Sequence, residues 1–340
     1  MSSRQYAAAG VDLAELDQAK RRIARAVEST RTALSRGFVG GFGGMVSLPP
    51  GLDRPMLVIS TDSVGTKVIV AKLAGVYDTV GEDIVNHSVN DILVHGARPI
   101  AFQDYIGMNG LSESQLAGLV EGVARGCRAH EMALTGGETA SLPDLYSPGE
   151  YDLAGTIVGV VEESAALHGD RITVDDVLVG YRSNGLHTNG YSLARKILFE
   201  KLHLSVDSMV GELSTTVGQA LLEVHRSYRR ALASVLEQVH GVAHVTGGGI
   251  AGNLVRVLPS GVEAVVESAS WTWPPLFTLL MNAGGVSIDE MREVFNLGMG
   301  LVAVVPAAQV GPVRAAATDA GIETWIAGHI RAGQRGVRFT

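Results

Sequence analysis

The spacing of apolar positions changes repeatedly along the chain, and each change marks an element. In VDLAELDQAKRRIARAVESTRTAL, Leu13, Leu16, Ile23, Val27 and Leu34 recur near helical spacing, which predicts one amphipathic helix from Asp12 to Leu34. A glycine-rich loop, Gly37 to Gly44, ends it. MLVIST, IAFQDYI and YDLAGTIVGVVE read as strands, with EDIVNHSVNDILVHG and SESQLAGLVEGVARGCRAHE as helices between them. After a loop around residues 163–172 the alternation resumes with DDVLVGYRS as a strand and NGYSLARKILFEKL as a helix. A polar stretch runs to about Leu213, followed by a long helix predicted from about Val217 to Val239. The strand ending at AHVTGGG, a short helix, the strand GVEAVVE, a helix at PPLFTLLMNAGG and the strand GLVAVVP complete the series. This alternation predicts an α/β (α+β) chain of two domains, 1–167 and 168–340, with no short-period repeat.

A length of 340 residues suits two ordinary domains. The chain is 46% hydrophobic and 18% charged, and no apolar run approaches the ~20 residues of a membrane helix. The N-terminus becomes charged within a few turns and shows no signal-peptide core, so a cytoplasmic protein is expected. The formal charge of −8 argues against wrapping a nucleic acid backbone; neither nucleic acid nor membrane is an expected partner. Cys127 is the only cysteine, which excludes an internal disulfide and a cysteine zinc cluster. His130 lies three residues on, but no third group is identifiable to make a catalytic dyad. The 42 glycines cluster, as in GFVGGFGG, LTGGET and VTGGGIAG, which points to tight turns or to backbone approached closely by another group.

STDSVGTK, Ser60 to Lys67, ends like a phosphate loop but lacks the glycine five positions before Gly65, and it carries Asp62 within the loop. Asp62, Asp91, Asp104 and Glu138 are all flanked by Thr, Asn, Gly and aliphatic residues rather than by lysines. Burying such carboxylates calls for a cation, a donor or a proton, and Mg²⁺ with its oxygen ligands is one natural compensator. Helix and turn capping is the plainer reading, and the four together weigh about evenly between the two. Lys67 reads equally as a point charge for phosphate or as a snorkelling surface lysine.

TGGGIAGN, Thr246 to Asn253, carries the G-x-G-x-x-G spacing at Gly247, Gly249 and Gly252, with Glu267 near the distance of a ribose-binding acid. Pro259 stops the following helix after about two turns, which weakens a dinucleotide fold but keeps a helix N-terminus as a phosphate site. SNGLHTNGYS packs hydroxyls, amides and His187 into a loop able to hold a polar ligand or to form an Asx turn.

STDSVGTK, DILVHGARP, LTGGETA, RSNGLHTNGYSLARKIL, AHVTGGGIAGNLVRVLP and SWTWPPLF before FNLGMG follow one another in order. Together they resemble the phosphoribosylformylglycinamidine cyclo-ligase family from about Tyr6 to near the C-terminus. Single pieces are shared with thiamine-monophosphate kinase, selenophosphate synthetase and a hydrogenase-maturation protein, so a small-molecule kinase of that superfamily is the alternative. The resemblance implies an ATP-dependent ring closure in purine synthesis. It also implies a homodimer in which N-terminal strands pair across the dimer into a barrel, beside a C-terminal substrate-binding α/β domain. Carried over, Asp62, Asp91 and Glu138 would hold Mg²⁺, with Asp104 an addition near the ATP phosphates. Thr61, Thr66, Lys67 and the loop Gly40 to Gly44, with Gly43 and Gly44, would lie along the nucleotide. Ser183, His187, Asn189 and Gly247, Gly248 and Gly249 would face the ribonucleotide, its phosphate at a helix N-terminus near Asn253. Asp91, His187 and Lys67 would be the catalytic group. Ser60 and Ser63 replace two glycines of the family motif, and Ala8, Ala24, Ser141 and Asp144 are further departures.

Overall fold

Strand β3 (Pro55–Ser63) alternates exposed and part-buried residues, the signature of a sheet with one face open. The computed structural model describes residues 13–37 and 41–340; Ala8, Asp12 and Gly40 lie outside them. The chain forms two compact units, residues 1–89 with 98–160 and residues 90–97 with 161–340. The segment Asn90–Ala97, the end of helix Asp78–Leu93 and the turn after it, therefore belongs to the second unit.

After the short pair β1 (Ser35–Arg36) and β2 (Met45–Val46), the first unit builds a mixed four-stranded sheet from β3, β4 (Arg98–Met108), β5 (Ala133–Ser141) and β6 (Tyr151–Glu162). Its order is β3-β6-β4-β5, with β4 antiparallel to β6 and parallel to β5. Helix Glu113–Ala129 starts at a capping box in which Ser112 accepts from the Gln115 N–H and the Gln115 side chain accepts from the Ser112 N–H. The first helix runs Leu13–Glu28, not to Leu34. The hydroxyls of Ser29 and Thr30 donate back to the carbonyls of Ala26 and Val27, ending the helix and turning the chain toward β1.

The second unit adds β7 (Val177–Arg182), the short pair β8 (Met209–Val210) and β9 (Thr215–Thr216), β10 (Gly241–His244), β11 (Val262–Val266), β12 (Met299–Val305), β13 (Thr324–Ala332) and β14 (Gly336–Phe339). Its six-stranded sheet has the order β10-β12-β7-β13-β11-β14, antiparallel except for β11 with β14. Every residue of β12 is buried, because the sheet is covered on both faces. Val179, Tyr181, Leu301 and Ala303 pack with Leu232, Val313 and Ala317 on one side. Leu178, Val302 and Val304 pack with Ile250, Leu254 and Leu258 on the other.

The α/β (α+β) class and the helix-covered C-terminal sheet thus match the sequence reading. The long helix from Val217 to Val239 does not. Helix Val217–Leu222 stops, residues 223–228 form no regular element, and helix Arg229–Leu232 and a 3₁₀ turn follow. The break turns His225 and Tyr228 fully inward, and Asn90 supplies what a helix would have: its Nδ2 donates to the Arg226 carbonyl at 2.8 Å and its Oδ1 accepts the Tyr228 N–H at 2.9 Å. Helix Tyr191–Arg195 continues only as a wider π-type turn, Lys196–Lys201. Strand β5 was hidden by its glycines.

Candidate functional site

STDSVGTK is the end of β3, a turn at Gly65 and the start of helix Lys67–Ala74. Neither Ser60 nor Ser63 has a positive φ, so a Cβ at these positions is tolerated. Asp62 is tied at both oxygens: Oδ1 accepts the Ser63 N–H at 2.7 Å, and Oδ2 lies 2.7 Å from His87 Nε2. Thr66 is the N-cap residue of the helix. Lys67 is fully buried, its ammonium 2.8 Å from a carboxylate oxygen of the equally buried Asp83. The surface-lysine reading is therefore wrong.

Alternation in β3 and register in β4 and β5 sort the other carboxylates. Glu138 stands opposite Tyr105 and is exposed with it, whereas Asp104 stands opposite Gly137 and is buried. A Cβ at Gly137 would collide with the Asp104 side chain, which explains that glycine. Burial pushes the Asp104 carboxyl up from 3.8 to about 7, only partly offset by a backbone hydrogen bond. Asp62, Asp104 and Glu138 do not form a cluster with all ligand oxygens within 4.8 Å. Gly43, Gly44, Thr61, Asp104 and Glu138 nevertheless line one cavity of about 730 Å³, whereas Asp62, Thr66 and Lys67 do not. The cavity also takes in Gln103, Tyr105 and Thr156, which sequence reasoning missed; the polar positions alternating along β4 and β6 were the available signal. The hydroxyls of two of its lining residues, Thr61 and Thr156 on neighbouring strands, lie 2.8 Å apart. Cys127 is fully buried, its thiol pushed well up by burial and by Asp104, and His130 bonds to Asn86 instead.

In the second unit the antiparallel order β10-β12-β7 brings together the C-terminal end of β10, the start of β12 and the end of β7. His244 closes β10, and its Nδ1 lies 2.8 Å from Asp91 Oδ1. His187, held at φ 63 where a non-glycine residue is uncommon, stacks on His225 with ring centroids 4.0 Å apart. Ser183 donates to Asn296 Oδ1 at 2.9 Å. Asn189 Nδ2 is buried without a hydrogen-bond partner among the described residues, and Asn189 lies beside Gly247. Helix Gly249–Val257 begins at Gly249, four residues before Asn253. Asn253 instead ties the turn, donating to the Gly249 carbonyl at 2.8 Å and the Gly247 carbonyl at 3.2 Å. Gly248 and Gly249 have φ 90 and 64, and a Cβ at Gly249 would strike the Arg292 carbonyl. Strand β10 pairs with antiparallel β12, and three strands separate it from β11, so this glycine turn is not part of a parallel dinucleotide-binding unit.

Two family models match the chain: AIR synthase related protein, N-terminal domain, over residues 46–161, and its C-terminal domain over residues 173–339. A phosphoribosylformylglycinamidine cyclo-ligase of Desulfatibacillum aliphaticivorans is 44% identical over 97% of this chain and 96% of its own. The chain belongs to the phosphoribosylformylglycinamidine cyclo-ligase family. Cyclo-ligase membership accounts for the ordered motifs, and the fold is shared more widely. Thiamine-monophosphate kinase from Stenotrophomonas maltophilia K279a superposes with a TM-score of 0.70 at 18% identity, over 97% of this chain and 96% of that one. Hydrogenase maturation protein HypE, solved in complex with ATP, gives 0.63 at 17% identity, over 94% of this chain and 90% of that one. Among the described residues, no helix is long and apolar enough to cross a membrane.

Proposed function

We propose that the protein closes an imidazole ring at the expense of ATP. Formylglycinamidine ribonucleotide and ATP give aminoimidazole ribonucleotide, ADP and phosphate, in the cytoplasm, as a step of purine synthesis. The observation that carries this is 44% identity to a cyclo-ligase over 97% of the chain, a span that includes residues of both units. In the proposed course the formyl oxygen takes the γ-phosphoryl group, the amidine nitrogen attacks that carbon, and phosphate leaves with the oxygen.

Nucleotide binding in the first unit is supported by the cavity lined by Gly43, Gly44, Thr61, Asp104 and Glu138. Thr66 and Lys67, which do not line that cavity, are assigned to the nucleotide side, with Lys67 acting as the buried partner of Asp83. Hard carboxylate oxygens suit Mg²⁺, and burial raises the Asp104 carboxyl in this cavity, a cost that a bound cation would offset. Asp62, Asp91 and Glu138 are the ligands we assign to it. Bound there, Mg²⁺ would neutralise the ATP phosphates. On the ribonucleotide side, Ser183, His187, Asn189 and Gly247 to Gly249 orient the substrate, with the orphaned Asn189 amide as a ready donor. Asp91 and His187 are the groups we place nearest the chemistry.

The open face of the first sheet supports a homodimer that pairs these strands into a barrel: Leu57 and Ile59 are 54% and 62% exposed there. Sedimentation of the purified protein as a monomer at micromolar concentration would remove that part of the reading. The activity is tested by incubating the protein with ATP, Mg²⁺ and formylglycinamidine ribonucleotide. Equal amounts of ADP and aminoimidazole product are expected; their absence overturns the proposal.

A further inference from the structure

No step above uses FNLGMG, Phe295 to Gly300, although its residues brace the loop from Ser183 to Gly190 one after another. The buried Phe295 ring fills the space that a side chain at Gly190 would need. The Gly298 carbonyl accepts the Ser183 N–H at 2.9 Å. A Cβ on Gly300 would collide with the His187 ring and the Tyr228 hydroxyl. Among them Asn296, 4% exposed, bonds to the loop twice through its side chain.

The Asn296 amide has one possible orientation. The Gly298 N–H, which can only donate, lies 2.8 Å from one end of it, and the Gly185 carbonyl, which can only accept, lies 2.9 Å from the other. The first end is therefore Oδ1 and the second Nδ2. Oδ1 also accepts the Ser183 hydroxyl at 2.9 Å, closer than the 3.2 Å from that hydroxyl to the Gly185 carbonyl. One buried side chain thus fixes the start of the loop and takes the only hydroxyl proton of Ser183, which keeps just its lone pairs for a further partner.

The backbone beside Asn296 is held in a sparsely populated conformation. Leu297, buried, has φ 53 and Gly298 has φ 92, while His187 in the loop has φ 63. Such non-glycine residues persist only where their surroundings over-determine them, and they gather at ligand clamps. SWTWPPLF supplies the support here. Trp271 Nε1 donates to the Leu297 carbonyl at 2.9 Å, and a Cβ on Gly298 would strike the Pro274 ring. The loop is therefore anchored at Ser183 and Gly185 by Asn296 and at Gly190 by Phe295, with Leu186 to Asn189 held between the two.

We propose that Asn296 is a positioning residue for the ribonucleotide: acting through Ser183 and Gly185, it holds the loop in the shape that offers the Asn189 amide to substrate. This rests on the assignment of that loop to the ribonucleotide side. Asn296 does not line the nucleotide cavity of the first unit, so ATP affinity is not its concern.

Steady-state kinetics of Asn296 variants test this. Asn296→Asp is nearly isosteric; it keeps the acceptor for Ser183 and Gly298 and sets a carboxylate oxygen against the Gly185 carbonyl. At about pH 8 it should raise the KM for formylglycinamidine ribonucleotide about 10–100-fold, the cost of one unmade buried hydrogen bond, with the KM for ATP within about twofold of wild type. Burial raises the pKa of such a carboxyl, so at about pH 6 it regains a proton to donate, and the ratio of variant to wild-type KM should fall. Asn296→Ala, which lacks the donor at every pH, should show the raised KM without that recovery. An unmoved ribonucleotide KM in folded Asn296→Asp and Asn296→Ala overturns the inference. So does a drop in kcat and thermal midpoint at unchanged KM, the mark of a purely structural residue. A variant that fails to fold by circular dichroism is replaced by Asn296→Ser, read in the same way. No turnover by wild type removes the assigned reaction and this inference with it, whereas an active wild type with an unmoved KM in the variants overturns this inference alone.

Discussion

The two sheets solve opposite problems. The first-unit sheet leaves one face open, so its strands alternate and its polar residues are dealt out to both faces: Glu138 to the open side, Asp104 to the buried one. The second-unit sheet is covered on both faces, so β12 is apolar throughout and polar chemistry is pushed to the strand ends. There the side chains meet one another, as His244, His225, Asn90 and Asp91 do. An open sheet yields a lined cavity of separate donors; a closed one yields a convergent network. The difference teaches that exposure decides whether polar groups in a strand act singly or as a set.

The sharpest break of this contrast lies beneath the first sheet, where Lys67 and Asp83 form a fully buried pair. Lys67→Met should destabilise the protein by about 3–5 kcal/mol by stranding the Asp83 charge, and Lys67→Met with Asp83→Leu should recover most of it. Chemical denaturation of the single and double variants measures this; equal stability of Lys67→Met and wild type would show that the pair is not a closed element of an otherwise open unit.

Asp104 gives the next largest effect, and it depends on pH. Its carboxyl titrates near 7 folded against 3.8 unfolded, so between these values the native state binds more protons than the unfolded chain. Stability is full below about pH 4 and is lost as pH rises through about 7, by an amount on the order of 4 kcal/mol. Asp104→Asn should flatten that slope. Parallel urea midpoints for the two proteins from about pH 4.5 to 8 would refute the assignment.

Asp62→Asn tests the open unit's chemistry. Replacing this carboxylate should lower ATP turnover about 10²–10³-fold, the usual cost of one well-placed electrostatic group, while the thermal midpoint stays near wild type. Unchanged turnover across a Mg²⁺ titration would remove Asp62 from the site. The smallest effect belongs to the closed unit: Asn90→Ala leaves the Tyr228 N–H and the Arg226 carbonyl without this partner, at about 2 kcal/mol. Loss of the His225–His244 contact in that variant, seen as altered histidine NMR shifts, would tie the break in the helix to that network.

Periodicity made most of the fold legible: β3, β4 and β6 and the helices Asp78–Leu93 and Glu113–Ala129 announce themselves by spacing. Strand β5 was not legible, because Gly136 and Gly137 remove the side chains that would show alternation, and the reason for Gly137 is Asp104 on a neighbouring strand. The helix predicted through Val239 failed for a related reason. Residues 223–228 keep a helix-compatible pattern, but Asn90, far away in sequence, captures their backbone groups.

The sequence by itself determined the class of fold, the order of motifs and which carboxylates, hydroxyls and glycines are candidates for the family's chemistry, since these follow from local spacing and residue type. Only the tertiary structure decided that Lys67 is buried on Asp83, that Asp104 and Glu138 take opposite faces, and that His225 joins His187 and His244. These depend on register, on burial and on a long-range capture of backbone by Asn90, none of which is written in the spacing of residues along the chain.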